Sequence, residues 1–245
     1  MRSIKFAFLG LFFFWFLSCA YQKRPAAETT ADFNAHYRRG AYYLHQGSYK
    51  EALEELDRAI ALNPSSAAAH NLSGMAHFQQ KDYDAAEGQF RKAVELNPSL
   101  AVAYNNLGGV YAIKHQWNAA KENLKKAISL SPDMASAYFS LGTVQFNLGE
   151  AEEATACFAK GIALDPECLA KHSASLVGLS MSDASLAELS FTFARLFASS
   201  GDLERTVEFL TKAKQAGFHD WRRIAQDRDF EKIRNDPRIQ EFLKD

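Results

Sequence analysis

The chain has little cysteine, little proline and almost no charge imbalance, and each scarcity removes a class of protein. Three cysteines, Cys19, Cys157 and Cys168, are too few for a disulfide framework. Six prolines and 13 glycines serve as punctuation and not as bulk composition. Lys and Arg number 28 against 29 Asp and Glu, a formal net charge of −1. With a pI near 6.7 and no basic stripe, the chain has no general attraction to nucleic acid. The compact catalytic signatures are missing as well: HExxH, GxSxG, a phosphate loop, and GxGxxG after a strand. The pattern of strands that usually scaffolds such sites is also missing.

What is present is repetition. Gly40, Gly74, Gly108 and Gly142 recur at intervals of 34 residues, as do Ala35, Ala69, Ala103 and Ala137. Ala52, Ala86, Ala120 and Ala154 form another such column, Leu62, Leu96, Leu130 and Leu164 a fourth, and Pro64, Pro98, Pro132 and Pro166 a fifth. Within the unit from Ala101 to Met134, Val102, Tyr104, Leu107, Val110 and Tyr111 are spaced three and four apart, which predicts an amphipathic helix with these residues as its buried stripe. Ala120, Leu124, Ala127 and Ile128 repeat the spacing and predict a second helix. Gly108 costs roughly 1 kcal/mol against alanine inside a helix, so its recurrence implies close approach of a neighbouring helix. Pro132 stops the second helix. At 47% hydrophobic residues, 245 residues can bury a substantial interior, spread along an axis.

Tyr104, Leu107, Gly108, Tyr111, Ala120, Leu124, Ala127 and Pro132 resemble the signature of the tetratricopeptide repeat family, whose period they share. The fourth copy is similar through Tyr138, Leu141, Gly142, Ala154, Phe158 and Pro166, with Gln145 and Gly161 as departures. His36 and His70 replace the aromatic of the first two copies, and Arg39 and Ser73 replace the leucine. The resemblance implies an all-α, right-handed superhelical solenoid that binds other proteins and needs neither metal nor cofactor. It further implies a groove along the first helices of the repeats. Its positions fall on Tyr37, Ala41 and Leu44, then Asn71, Met75 and Phe78. The third copy supplies Asn105, Gly109 and Ala112, and the fourth Phe139, Thr143 and Phe146. Phe78, Phe139 and Phe146 are expected as apolar anchors, and Asn71 and Asn105 as hydrogen-bonding partners for a peptide backbone. The basic set with which the chaperone-binding subgroup clamps a terminal carboxylate is lacking.

Arg2 and Lys5 precede an apolar run from Phe6 to Leu17, shorter than the roughly 20 residues of a membrane-spanning helix, so residues 1–18 read as an export signal. Phe16-Leu17-Ser18-Cys19 resembles a relaxed bacterial lipobox, which makes Cys19 the expected lipid-attachment residue. Cleavage after Ala20 and an uncleaved anchor are the alternatives. Ala20 in place of Asp resembles the pattern of outer-membrane lipoproteins, so the expectation is an envelope lipoprotein with an envelope protein as partner. Residues 19–32 read as a flexible tether, 33–166 as four repeats, and 167–186 as a degenerate helical connector. Residues 187–220 read as a divergent fifth repeat through Phe193, Phe197, Gly201, Leu210 and Ala213, and 221–245 as a closing cap.

Gly47, Lys81, His115 and Gly149 share the turn between the paired helices, so His115 reads as a turn residue. His70 and His77 fill columns held elsewhere by Tyr104 and Tyr111 and read as packing. Cys168 and His172, four apart, are the one pair that resembles a thiol and its base or two metal ligands, and both chemistries want further groups. The expected function is a non-catalytic binding scaffold. An assembly helper for a pilus or secretion complex is the alternative, and a thiol-dependent enzyme using Cys168 and His172 a remoter one.

Overall fold

The computed structural model describes residues 26–167 and 182–244. Among them the regular elements are all helical, and they come in pairs: α1 (Ala26–His45) with α2 (Tyr49–Leu62), α3 (Ala67–Gln79) with α4 (Tyr83–Leu96), and α5 (Ala101–Ile113) with α6 (Trp117–Leu130). The series continues with α7 (Ala135–Asn147) and α8 (Ala151–Leu164), then α9 (Asp183–Ser200) and α10 (Leu203–Gln215). Two short helices, α11 (Arg222–Gln226) and α12 (Pro237–Phe242), flank a 3₁₀ turn at Arg228–Phe230. Within the four regular repeats each pair packs on itself, and its second helix packs on the first helix of the next pair. That is the quasi-one-dimensional core of a solenoid.

The glycine column sits where paired helices cross. A Cβ on Gly40 or Gly108 would lie 2.6 Å from Cγ of Leu56 or Leu124, and one on Gly74 or Gly142 would lie 2.7 Å from the ring of Phe90 or Phe158. The turn column is equally physical: Gly47, Lys81, His115 and Gly149 all have positive φ, between 55° and 80°. Lys81 and His115 accept a conformation that glycine adopts freely.

A further column governs the links between repeats. Asn63, Asn97 and Asp165 stand before the prolines, and their side-chain oxygens accept the backbone N–H of Ser65, Ser99 and Glu167 at 3.2, 3.0 and 3.0 Å. In the third repeat the roles invert, with the Ser131 hydroxyl donating to Asp133 at 2.7 Å. These side chains satisfy the turn in which each second helix ends.

Helix α1 starts at Ala26, inside the stretch read as tether. Ala26, Ala27 and Ala31 are strong helix formers. The connector also ends sooner than its sequence implies. Ser182 caps α9 by accepting from Ser185 N–H at 3.2 Å, so residues 183–186 form the first turn of that helix.

The fifth pair turns at Gly201, φ +81°, and joins the fourth through an aromatic seam of Phe139, Phe158, Phe193 and Phe197, with Leu189. Phe158 and Phe193 lie 4.8 Å apart. The far side of this pair is closed by Trp221, Ile224, Phe230, Ile239 and Phe242, all buried against α9 and α10. Phe191 stacks on Phe218 at 4.3 Å, and the Arg223 guanidinium covers Phe191 at 4.4 Å. The cap therefore buries the flank that the last repeat would otherwise leave wet.

Candidate functional site

The first helices of successive repeats touch one another directly, α1 with α3, α3 with α5 and α5 with α7, whereas no comparable contact joins the second helices. An array whose first helices are closer together than its second helices curves toward the first. Those helices form the inner wall.

Along that wall the groove positions divide into accessible and buried ones. Tyr37, Ala41 and Leu44 on α1 are half-buried, with Tyr37 stacked on Phe33 at 5.8 Å. Met75 and Phe78 on α3 are half-buried, and Phe78 meets Tyr83 edge-on at 5.6 Å. Asn105 and Gly109 on α5 and Phe146 on α7 are also partly open. A Cβ at Gly109 would meet nothing within 4 Å, so the wall there is bare backbone.

Asn71 is buried and already engaged. Its side-chain oxygen accepts from Asn106 Nδ2 at 3.0 Å, and its own amide faces the Met75 sulfur at 3.7 Å. Asn106 thereby links two repeats, a role its sequence position beside Asn105 does not signal. Asn105 Oδ1 is enclosed without a hydrogen-bond partner.

Phe139 does not stand on the wall as an apolar anchor. It is 3% exposed, packed against Phe158 and Phe193 in the seam. Gly161 admits it, because a Cβ there would lie 2.7 Å from the Phe139 ring. The signal was in the sequence: Gly161 is the one departure from the Ala59, Ala93 and Ala127 column. Thr143 and Ala112 are likewise buried, and the Thr143 hydroxyl donates to the Phe139 carbonyl at 2.9 Å. Val102 moves the other way. Read as part of the buried stripe, it is 37% exposed on the face shared with Asn105 and Gly109.

His36 and His70 are held in structural contacts. His36 Nδ1 lies 2.8 Å from Glu55 and His70 Nδ1 lies 2.7 Å from Gln89, equivalent positions one repeat apart. His70 Nε2 reaches the Pro64 carbonyl at 3.1 Å. Glu55 is buried, which pushes its carboxyl upward, but hydrogen bonds from His36 and Arg39 outweigh that and hold it below the usual carboxylate range. His77 sits in the tyrosine column, 3.8 Å from Asp82. In that column Tyr111 accepts from Arg91 of the preceding repeat at 2.8 Å.

No cluster of three metal-ligating side chains occurs among the described residues. Burial pushes the Cys157 thiol above its ordinary range, so it is a poor nucleophile. Cys19, Cys168 and His172 lie outside the described residues. No described helix is long and apolar enough to cross a membrane.

Paired helices at a fixed period, a small-residue crossing in each pair and a wall of first helices define a helical repeat solenoid. The chain belongs to the tetratricopeptide repeat family. Models described as tetratricopeptide repeat match residues 26–66, 37–101 and 135–168, and one described as TPR repeat matches 110–149. No curated protein matches the chain in sequence. Among solved structures, MamA from Desulfovibrio magneticus RS-1 is similar at 22% identity and TM-score 0.53, over 76% of this chain and 94% of that one. YrrB, described as a TPR protein with an unusual peptide-binding site, matches at 22% identity and TM-score 0.50, over 74% and 84%. The Thermobaculum terrenum O-GlcNAc transferase matches at 22% identity and TM-score 0.53, over 55% of this chain but 26% of its own. These likenesses are of fold.

Proposed function

We propose that this protein is a non-catalytic scaffold, exported and held at a bacterial membrane by lipid on Cys19, which binds a peptide segment or partner protein of the envelope along its inner wall. The observation that carries the reading is the continuous contact of first helices from α1 to α7. It makes one preformed surface out of four repeats, and a preformed surface avoids the cost of ordering on binding. YrrB, with its peptide-binding site, is a precedent for the fold in that use. The early start of α1 sharpens the anchoring part. Only residues 20–25 separate Cys19 from the helix, at most roughly 20 Å of extended chain, so a lipid at Cys19 would hold the first repeat close to the bilayer.

The test is the intact mass and fractionation of the native protein beside Cys19→Ala, followed by co-precipitation from the membrane fraction. The expected mass shows cleavage before Cys19 plus acyl chains, both lost in the variant. A Phe78→Ala/Phe146→Ala double variant is expected to release the co-precipitated partner. A mass beginning after Ala20 without lipid would end the anchoring reading, and an unchanged partner in the double variant would end the groove reading.

A further inference from the structure

We infer that the inner wall takes an extended, uncharged chain segment, seats one apolar side chain of it in a recess at Gly109, and rejects carboxylate-bearing segments. The inference rests on the groove reading above and gives it a ligand class.

The recess follows from the repeat itself. Phe78, Ala112 and Phe146 occupy one column, each 34 residues from the next. The rings of Phe78 and Phe146 are half-buried, and between them the wall falls back to the methyl of Ala112 and the bare backbone of Gly109. Neighbouring packed helices lie about 8–10 Å apart, so the two rings flank a gap of roughly 16–20 Å. An extended chain crosses that gap in about six residues at roughly 3.3 Å each. One side chain near its middle points into the recess.

Charge decides what that segment can be. The first helices of the second, third and fourth repeats, α3, α5 and α7, contain no Asp, Glu, Lys or Arg. A carboxylate laid on such a wall loses hydration and gains no counter-ion. What the wall does offer is amide chemistry. The Asn106 to Asn71 hydrogen bond fixes one amide across two repeats. The half-buried Asn105 beside it offers its side-chain amide N–H to a main-chain carbonyl of the bound segment, whatever the segment's sequence.

The experiment selects from displayed random 12-residue peptides on the full chain and measures the enriched peptides by fluorescence anisotropy. The comparison variant is Gly109→Leu, which starts from open space and replaces a helix glycine with a strong helix former. Its melting temperature is expected to match or exceed that of the wild type. Val102→Lys, at an exposed position on the same face, is a second variant that spares the core. Enriched peptides are expected to be poor in Asp, Glu, Lys and Arg, to bind Gly109→Leu at least tenfold more weakly, and to weaken also with Val102→Lys. The best of them remade with two Glu residues should lose at least tenfold. Enrichment of acidic peptides that still bind Gly109→Leu and Val102→Lys more weakly would overturn the ligand class while leaving a binding wall in place, and equal affinity of the enriched peptides for both variants and the wild type would overturn the groove reading as well. Failure to enrich any peptide would overturn both.

Discussion

Gly108 and Gly109 are neighbours in one helix, yet alanine at the two positions should act in opposite directions. At Gly108 a Cβ would lie 2.6 Å from Leu124 Cγ, 2.9 Å from its Cδ2 and 3.3 Å from the Ala120 carbonyl. Leu124 and Ala120 are fully buried, so neither can swing away into solvent. Such overpacking costs roughly 1–3 kcal/mol, against roughly 1 kcal/mol returned by better helix propensity. The net is a loss of about 0–2 kcal/mol. At Gly109 no atom lies within 4 Å of the new Cβ, and only the gain of roughly 1 kcal/mol remains. The two variants should therefore differ by about 1–3 kcal/mol, or roughly 2–12 °C in melting temperature for a chain of this size. Thermal and urea unfolding followed by helical circular dichroism measures the difference, with Lys126→Ala on the outer face as a control that should barely move. A Gly108→Ala protein that melts with or above Gly109→Ala would refute the register of the repeats.

Lys81→Gly should stabilise the protein by up to about 1 kcal/mol in the same unfolding assay, because lysine there holds φ at 63°. Gly161→Ala should destabilise it by about 1 kcal/mol net, since the Phe139 ring 2.7 Å away is locked by Phe158 and Phe193. Loosening of the aromatic seam should show as a broader transition. Glu55 has a folded pKa below its unfolded value near 4.3, so the stability it adds is complete above that value and disappears as pH falls through the folded pKa. The gap in stability between wild type and Glu55→Gln should accordingly be widest at neutral pH and should shrink below about pH 4.

The repeats were legible because each column answers one physical demand. Gly108 exists for Leu124, the positive-φ turn residues for the reversal, and the prolines for the stop. The start of α1 was not legible from polarity, since YQKRPAAETTAD reads as solvated chain while its alanines also favour helix. Phe139 was misplaced because a groove register takes each helix alone, whereas its burial depends on Gly161 of the next helix and Phe193 of the next pair. The pairing of His36 with Glu55 and of His70 with Gln89 escaped a reading confined to the first helix of each repeat. The two partners share a column 19 residues downstream, and only the fold brings them across.

The central claim is that a partner sits on the inner wall. A benzophenone photo-crosslinking residue placed at Phe78, and in a second variant at Lys126 on the outer face, tests it in living cells. The account predicts a discrete protein adduct from position 78 and none from position 126. An adduct from 126 with none from 78 would place the binding surface on the second helices and contradict it.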